Sequence, residues 1–326
     1  MLDWTDRHCR SLLRCISRQA LLYTEMVTTA AILNGKAVGL QHDASEHPLA
    51  LQLGGSDPAA LASCARIGAE LGFQEINLNV GCPSDRVQSG RFGACLMAEP
   101  DLVAECVGAM CASVTAPVTV KTRIGIDRQD DYESFARFVA TVAAAGCKRF
   151  IIHARAAWLQ GLSPAQNRNL PPLRYTYAYR LKQQYPGLCV ILNGGIEGID
   201  QCLPHLQHVD GVMLGRAVYH DPYLLAAVDN RIYGTRHTVP DRAGIVRAMY
   251  PYIERELSAG TALKSISRHM LGLFHGQPGA RHWRRHLSEF AVRNNAGIEV
   301  IEQALDMMAR FGSSAEINHS YREQHG

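Results

Sequence analysis

Short apolar segments alternate with helical segments from about residue 20 onward. Seven of these segments read as strands, because they are short, rich in apolar residues and bounded by turn residues: 21–26, 49–54, 75–80, 117–123, 149–154, 189–193 and 211–215. The segments between them have helical character, and Asp57 and Asp131 stand where N-terminal capping residues belong. Alternating strands and helices imply parallel strands, as in a (β/α)₈ barrel or a doubly wound sheet.

Polar residues at the strand ends decide between these two folds. Almost every predicted strand has such a residue at its carboxyl end: Gln52, Asn79, Lys121, His153, Asn193 and Arg216. A (β/α)₈ TIM barrel gathers these ends into one ring around one site, whereas a doubly wound sheet does not need all of them. The sequence therefore predicts a TIM barrel. One strand is missing from the count, because residues 1–6 lead directly into a predicted helix at 7–17.

The pattern changes to helices alone after about residue 236. Pro240 and the preceding Gly234-Thr235 mark the change, and the predicted helices are 241–257, 263–274, 279–293 and 298–311. We predict a barrel domain at residues 1–236, a small all-helical bundle at 237–316 and a frayed tail at 317–326.

Composition narrows the class of protein. The chain has 326 residues, 47% hydrophobic and 19% charged, which suits a large globular core. No apolar run reaches the roughly 18 residues of a membrane span, and the first thirty residues show no signal-peptide segment. Cysteines such as Cys64, Cys106 and Cys147 stand among small apolar residues, as buried hydrophobes do. Without a C-x-x-C or H-E-x-x-H motif, no metal site is expected. We expect a cytoplasmic protein and a monomer.

Positive charge is concentrated near the C-terminus, although the net charge is only +3. Residues 264–293 contain six basic residues and one acid, and Arg281, Arg284 and Arg285 interleave with Trp283. A second arginine-bearing segment, residues 154–175, is a long irregular loop on the predicted rim of the site, with Arg155, Trp158 and Arg168. Basic residues interleaved with aromatic ones favour contact with nucleic acid over a merely solvated helix face.

Cys82 is the strongest candidate for chemistry. The strand 75–80 alternates apolar residues with Asn77 and Asn79, and Gly81 and Pro83 then end it. Cys82 therefore stands on a sharp turn at the carboxyl end of a strand, which favours a chemical over a structural role. Cys95, later in the same glycine-rich loop, lacks that setting and is expected to be packed.

A phosphate site is predicted after the last two strands. Gly194 and Gly195 follow one strand and Gly215 the other, and Arg216 adds a charge-assisted partner. No G-x-G-x-x-G follows a strand, so a mononucleotide such as FMN fits better than a dinucleotide. Lys121 in this ring needs an anionic or electron-rich partner, which a reduced flavin is. His153, at a strand end in the same ring, is expected to contact the ligand.

Together these motifs resemble the tRNA-dihydrouridine synthases, most closely the bacterial class A subfamily. The motifs that carry the resemblance run along essentially the whole chain: M-L-D-W-T-D-R-H, L-Y-T-E-M, A-L-Q-L-G-G-S-D-P, E-I-N-L-N-V-G-C-P-S, V-T-V-K-T-R-I-G, F-I-I-H-A-R, N-G-G-I, D-G-V-M-L-G-R-A, H-M-L-G-L-F-H-G and W-R-R-H-L-S-E. The resemblance implies an FMN enzyme that uses NADPH, or NADH, to reduce uridines 20 and 20a in the D-loop of tRNA to 5,6-dihydrouridine.

The same resemblance implies a role for each matching residue. Cys82 matches the catalytic cysteine, a general acid that protonates uracil C5 after hydride from FMN reaches C6. The matching flavin-binding positions are Met1, Gln52, Lys121, His153, Asn193, Gly194, Gly195, Gly215 and Arg216. The expected tRNA contacts are Asn79, Arg155, Trp158, Arg168, Arg281, Arg284 and Arg285, with stacking from an aromatic side chain such as Trp158 or Trp283.

One departure and two alternatives stay open. The family's first strand ends in Ala-Pro-Met, and Met1 corresponds to that methionine, so we expect a natural gene product with roughly ten or more further N-terminal residues, and weaker flavin retention and lower stability in the chain as it stands. The first alternative is an FMN barrel oxidoreductase that acts on a free pyrimidine or another small molecule. The second is a non-catalytic RNA-binding protein on a degenerate barrel.

Overall fold

The alternating pattern folds into one parallel sheet. A computed structural model describes the backbone of residues 1–36, 38–236 and 238–323, and the side chains of these residues except 85, 86 and 312–323. Seven strands pair in chain order: β1 Leu22–Thr28, β2 Leu49–Gly54, β3 Glu75–Val80, β4 Val118–Arg123, β5 Arg149–His153, β6 Cys189–Asn193 and β7 Gly211–Met213. The predicted fold class, a barrel of the (β/α)₈ type with seven strands present and a helical C-terminal region, is confirmed.

The helices follow the strands as the sequence predicts. They are α1 Arg7–Ile16, α2 Thr29–Leu33, α3 Pro58–Glu70, α4 Asp85–Ser89, α5 Pro100–Ser113, α6 Tyr132–Ala144, α7 Tyr175–Gln184, α8 Ile199–His205, α9 Arg216–His220, α10 Val228–Arg231, α11 Arg242–Ala248, α12 Tyr250–Ser258, α13 Leu263–Ser267, α14 Ala280–Phe290 and α15 Ile298–Glu323. Both predicted caps are present, since the side chains of Asp57 and Asp131 accept hydrogen bonds from the backbone N–H groups of Ala60 and Ser134.

The sheet is buried on both faces at β2 and β3. Helix α3 covers one face closely, because a Cβ added at Gly68 would lie 2.7 Å from Leu51 Cδ2 and 2.8 Å from Ile76 Cδ1. Burying two such side chains completely stabilises the fold by roughly 1.5–3 kcal/mol each. The alternate residues Gln52 and Asn77 are partners in register and lie on the other face, where they are also buried. The interior face of this part of the sheet is therefore polar.

The sheet has two edges. Within the described residues, β1 pairs with β2 alone and β7 with β6 alone, so no pairing between β1 and β7 closes the sheet. The carboxyl ends of all seven strands lie at one end of the sheet, because every pairing is parallel.

The chain divides into two compact units. The first unit contains residues Met1–Asp6 and Leu21–Gly215, and so holds the whole sheet. The second contains Arg7–Ala20 and the chain from Arg216 onward, and is helical. The domain boundaries predicted from the sequence stay predictions.

Three helices of the second unit differ from the predicted ones. The predicted helix 241–257 is interrupted between α11 and α12, where Pro251 has no N–H for the hydrogen bond to residue 247. The predicted helix 263–274 is regular only to Ser267, and a Cβ at Gly272 would lie 2.3 Å from the carbonyl oxygen of His220. Helix α15 continues past residue 311 to Glu323, and so covers part of the predicted tail; residues 324–326 lie outside the described residues.

Helix α14 shows which face of the basic segment is buried. Ala280, Trp283 and Leu287 are buried on one face, and Trp283 donates a hydrogen bond from its indole N–H to the carbonyl oxygen of Met270 (2.9 Å). Trp283 is therefore a core residue, and the suggestion that it stacks on RNA bases is wrong. None of the helices in the described part of the chain is both long and apolar enough to span a membrane.

Candidate active site

The turn after β3 presents Cys82. The side-chain oxygen Asn79 Oδ1 accepts hydrogen bonds from the backbone N–H groups of Gly81 (3.1 Å) and Cys82 (3.0 Å). On the other side, the carbonyl oxygen of Cys82 accepts a hydrogen bond from the N–H of Ala94 (2.9 Å). Both backbone polar groups of Cys82 are thus held, while its partly exposed thiol lies 3.6 Å from the hydroxyl oxygen of Ser84. The arrangement fixes the backbone and leaves the sulfur accessible.

The loop that follows makes this turn possible. Gly93 has a positive φ of 78°, and a Cβ there would lie 2.6 Å from the carbonyl oxygen of Cys82. Cys95, in the same loop, hydrogen-bonds through Sγ to the carbonyl oxygen of Phe92 (3.2 Å), and burial raises its pKa. Cys95 therefore lies in the loop and not at the strand end, as predicted, but like Cys82 it is partly exposed.

Lys121 carries a charge into the same end of the sheet. Its ammonium donates a hydrogen bond to Asn193 Oδ1 (3.1 Å), and Asn193 in turn donates from Nδ2 to the carbonyl oxygen of Met213 (2.7 Å). Among the side chains that the structure describes, no carboxylate lies within ion-pair distance of Lys121. Burial, with a further contribution from the positive charge of Arg123, lowers the pKa of Lys121 from 10.5 to about 8. The lysine is thus short of an anionic partner.

His153 and two glycines lie at the ends of β5 and β6. A Cβ at Gly194, whose φ is 112°, would lie 2.6 Å from His153 Cδ2, so only glycine lets the backbone pass this close to the imidazole. Gly195 also has a positive φ, of 69°, and is exposed. The hydroxyl of Tyr175 donates to the carbonyl oxygen of Gly194 (2.7 Å), which fixes this loop.

Two of the predicted flavin-binding residues lie beside each other near the ends of the chain's first unit. The sulfur of Met1 is 3.4 Å from the position that a Cβ at Gly215 would take. The predicted ligand Arg216 is the first residue of α9 and belongs to the second unit.

Arg123 is a site residue that the sequence reasoning missed. Its side chain is 4% exposed and donates hydrogen bonds to the carbonyl oxygens of Gly81 (3.1 Å), Ala156 (3.4 Å) and Asn167 (3.1 Å). It therefore links the Cys82 turn to the loop after β5. Burial lowers its pKa to about 10. The sequence contained a signal for Arg123, because residues 121 and 123 are two apart on β4 and therefore lie on the same face of the sheet.

The long loop after β5 is organised around one buried amide. Asn167 is fully buried; its Oδ1 accepts from the N–H of Trp158 (2.7 Å) and its Nδ2 donates to the carbonyl oxygens of Trp158 (2.8 Å) and Leu162 (3.1 Å). The loop therefore holds the Trp158 ring outward, where it is 39% exposed. Arg155 donates a hydrogen bond to the carbonyl oxygen of Pro171, and Arg168 is exposed.

The predicted arginines of the second unit are exposed. Arg281, Arg284 and Arg285 all lie on α14, and Arg285 lies 3.7 Å from Glu289. The structure thus presents three guanidinium groups on two turns of one helix, a spacing suited to phosphates.

The residues in the first unit fit a flavin. Lys121 supplies a cation without a described carboxylate partner, and Gly194 and Gly195 keep the backbone beside His153 free of side chains. Polar groups and glycines at the carboxyl ends of barrel strands are the usual place for a phosphorylated cofactor. No group of three or more potential metal ligands occurs among the described side chains.

Comparison with known proteins assigns this site to a family. Residues 1–309 match the family model described as Dihydrouridine synthase (Dus). The tRNA-dihydrouridine(20/20a) synthase of Vibrio cholerae is 60% identical over 306 residues, which cover 94% of this chain and 94% of that protein. The proteins of that name from Shewanella oneidensis and Escherichia coli K12 are each 61% identical, over 93% and 95% of this chain and 91% and 90% of their own lengths. This chain belongs to the dihydrouridine synthase family.

Proposed function

We propose that this protein reduces uridines 20 and 20a of tRNA to 5,6-dihydrouridine, with FMN as cofactor and NADPH as electron donor. The observation that carries the proposal is the Cys82 turn. In a chain of the dihydrouridine synthase family, it presents a thiol at the carboxyl end of a barrel strand, with its backbone held on both sides. The relatives that bear the name tRNA-dihydrouridine(20/20a) synthase support the choice of substrate.

The reaction adds a hydride to C6 of uracil and a proton to C5. FMN, once reduced by NADPH, supplies the hydride when it is bound. Cys82 donates the proton from Sγ to C5, and its thiolate then takes up a proton from solvent. The Asn79 and Ala94 hydrogen bonds keep the Cys82 backbone from moving when the thiol loses its proton. Lys121 and His153 are proposed to bind the flavin and to orient it, which the Lys121 ammonium and the close approach of Gly194 to His153 support.

The other residues predicted to bind the flavin keep that role in this proposal. Gln52 and Asn193 are both engaged in hydrogen bonds within the first unit, and a second lone pair on each side-chain oxygen remains for a ligand. Met1, Gly215 and Arg216 keep the flavin-binding roles that the resemblance implies.

The substrate base must leave the folded tRNA to react. A uridine is turned out of its stack before an enzyme can modify it, and the unstacked base is commonly received by an aromatic side chain. The exposed Trp158, with Arg155 and Arg168 in the same loop, is proposed to receive the uridine and its flanking phosphates. Arg281, Arg284 and Arg285 are proposed to bind the RNA backbone. Cytoplasmic location and a monomeric state stay predictions.

The test of the reaction is dihydrouridine formation in vitro. Unmodified tRNA is incubated with the protein, FMN and NADPH, and dihydrouridine is measured by mass spectrometry, beside Cys82→Ala and the matched control Cys95→Ala. We expect product from the parent and from Cys95→Ala, a loss of at least a hundredfold in Cys82→Ala, and no product from a transcript with cytidine at positions 20 and 20a. Equal rates for the two variants would refute the role of Cys82, and reduction of free uracil or uridine with no reaction on tRNA would favour the small-molecule alternative.

The test of RNA binding is its salt dependence. The variant Arg281→Gln/Arg284→Gln removes two exposed cations, so we expect weaker tRNA binding and a log Kd against log salt slope that is lower by about two. Arg66→Gln, at an exposed position of α3, is the control and should leave the slope unchanged. A double variant with the parental slope would show that α14 does not contact phosphates.

A further inference from the structure

A continuous chain of buried polar side chains runs through the interior face of the sheet to the Cys82 turn. Its four side-chain hydrogen bonds are each 2.8 Å long: Asn79 Nδ2 to Gln52 Oε1, Gln52 Nε2 to Asn77 Oδ1, Asn77 Nδ2 to Thr119 Oγ1, and Thr119 Oγ1 to Glu75 Oε1. All five residues are at most 9% exposed. We call these five residues the interior chain.

The interior chain has a direction. Gln52, Asn77 and Thr119 each accept from the neighbour nearer to Cys82 and donate to the neighbour nearer to Glu75. An amide can be turned over, and a hydroxyl can both donate and accept, so neither group sets a direction alone. An ionised carboxylate only accepts. Groups of fixed polarity therefore stand at both ends and favour the same direction: the Glu75 carboxylate accepts from Thr119, and the backbone N–H groups of Gly81 and Cys82 donate to Asn79.

Glu75 is itself held in place. Arg149 donates from Nη1 to Glu75 Oε2 (2.6 Å), and the hydroxyl of Tyr23 donates to Oε1. Burial, with a further contribution from the negative charge of Glu75, raises the pKa of Tyr23, so this phenol stays protonated and remains a donor. The carboxylate thus receives donors from three strands, which accounts for a charge that is 1% exposed.

The far end of the interior chain is the Cys82 turn. Only one orientation of the Asn79 amide offers an oxygen to the N–H groups of Gly81 and Cys82. In the reversed orientation its NH₂ group would face two N–H donors, and a donor that is left unpaired where water cannot reach it costs roughly 1–3 kcal/mol. The orientation of Asn79 and the geometry of the Cys82 turn are therefore coupled.

We propose that Glu75 is a positioning residue for Cys82, acting through Thr119, Asn77, Gln52 and Asn79 to fix the amide that holds the catalytic turn. The role of Cys82 as proton donor rests on the proposed function, whereas the coupling between Glu75 and the turn does not. The competing explanation is that the interior chain only stabilises the sheet.

The substitution Thr119→Val tests the proposal, because it removes the hydroxyl that joins Asn77 to Glu75 and keeps the side-chain shape. Thr122→Val is the matched control, since Thr122 is also fully buried in β4 but its hydroxyl donates to the carbonyl oxygen of Arg123 instead. Thr119→Ser restores the hydroxyl and is the rescue variant. Glu75→Gln tests the other end, since an amide no longer forces the direction of the chain.

The first readout is the reactivity of the Cys82 thiol, which does not depend on activity. The full-length protein with saturating FMN is treated with iodoacetamide, and alkylation of the Cys82 and Cys95 peptides is followed by mass spectrometry. We expect Cys82 to react at least threefold faster in Thr119→Val and in Glu75→Gln, because a loosened turn exposes the sulfur. Cys95 should keep its rate in all variants, and Thr122→Val and Thr119→Ser should keep the parental Cys82 rate.

The second readout separates positioning from stability. In the dihydrouridine assay we expect kcat to fall about tenfold in Thr119→Val with KM for tRNA unchanged, and Thr119→Ser to recover it. The proposal is overturned if Thr119→Val lowers the melting temperature as Thr122→Val does and leaves Cys82 alkylation at the parental rate. If Thr119→Val does not fold, Thr119→Ala replaces it under the same expectations. If the parent makes no dihydrouridine, the proposed function fails while alkylation still decides the coupling.

Discussion

Removing the positive charge of Lys121 should stabilise the protein without its cofactor. Lys121→Met keeps most of the apolar stem and deletes an ammonium whose one described hydrogen-bond partner is the neutral amide oxygen of Asn193. Because burial lowers the pKa of this lysine from 10.5 to about 8, its protonated form is disfavoured in the fold. The substitution therefore trades one hydrogen bond, worth about 1 kcal/mol, for relief of a buried charge.

The magnitude follows from proton linkage. A lysine with a pKa near 8 when folded and 10.5 when unfolded lowers the free energy of unfolding by about 3 kcal/mol at pH 7 and by about 2 kcal/mol at pH 9. The sign is that of a depressed lysine: the penalty is fully present below pH 8 and disappears as the pH rises through 10.5. After the lost hydrogen bond is subtracted, Lys121→Met should be about 2 kcal/mol more stable than the parent at pH 7 and about 1 kcal/mol at pH 9.

Urea unfolding at pH 7 and pH 9, with any bound flavin removed from the protein beforehand, measures this difference. Lys182→Met is the control, because that ammonium is ion-paired with Asp210 (2.9 Å) and its loss should not stabilise the protein at either pH. A Lys121→Met variant that is less stable than the parent at pH 7 would refute the reasoning, as would a stability gain that does not shrink at pH 9. The variant should also bind FMN more weakly, since the charge is proposed to serve the cofactor.

Two further substitutions test the geometry of the fold. Gly194→Ala should destabilise the protein by about 1–3 kcal/mol in thermal or urea unfolding, because its φ is 112° and the new Cβ would meet His153, whereas Gly198→Ala, with nothing within 4 Å of its Cβ position, should change stability by less than about 1 kcal/mol. Trp283→Ala should lower the free energy of unfolding by about 3–5 kcal/mol, because the indole is fully buried. Trp158→Ala should change it by no more than about 0.5 kcal/mol, because that ring is exposed. Equal effects of the two tryptophan substitutions would contradict these assignments.

The strands could be predicted from the sequence because their signals are local. In β3 an alternation of apolar and polar residues ends at Gly81 and Pro83, and the predicted boundaries agree with the structure. The polar ends of the strands placed Asn79, Lys121 and His153 at one end of the sheet, as all-parallel pairing requires. The break before α12 was missed, because the apolar spacing continues through Pro251 while its missing N–H interrupts the helix.

The contacts inside the site could not be predicted, because they depend on the register between strands. Asn77 is paired with Thr119 only because β3 and β4 align at those residues, and nothing in either segment states that alignment. The position of Arg123 on the same face as Lys121 could be read from the sequence, but its three carbonyl partners, in the Cys82 turn and in the loop after β5, could not. Trp283 was misjudged because an aromatic residue among arginines fits an RNA-binding face and a helix core equally well.

Glu75 and Lys121, two of the charged residues on the interior face of the sheet, differ in how far their charges are compensated. Glu75 is almost fully buried and receives hydrogen bonds from Tyr23, Thr119 and Arg149, so its charge is compensated within the fold. Lys121 has a described amide partner and a lowered pKa, so its charge is not compensated to the same degree. A buried charge whose partners compensate it holds the neighbouring groups in place. A buried charge with too few partners is stabilised when an anionic or electron-rich ligand binds beside it. The difference separates the Glu75 end of the sheet, which is proposed to orient the Cys82 turn, from the Lys121 end, which is proposed to bind the cofactor.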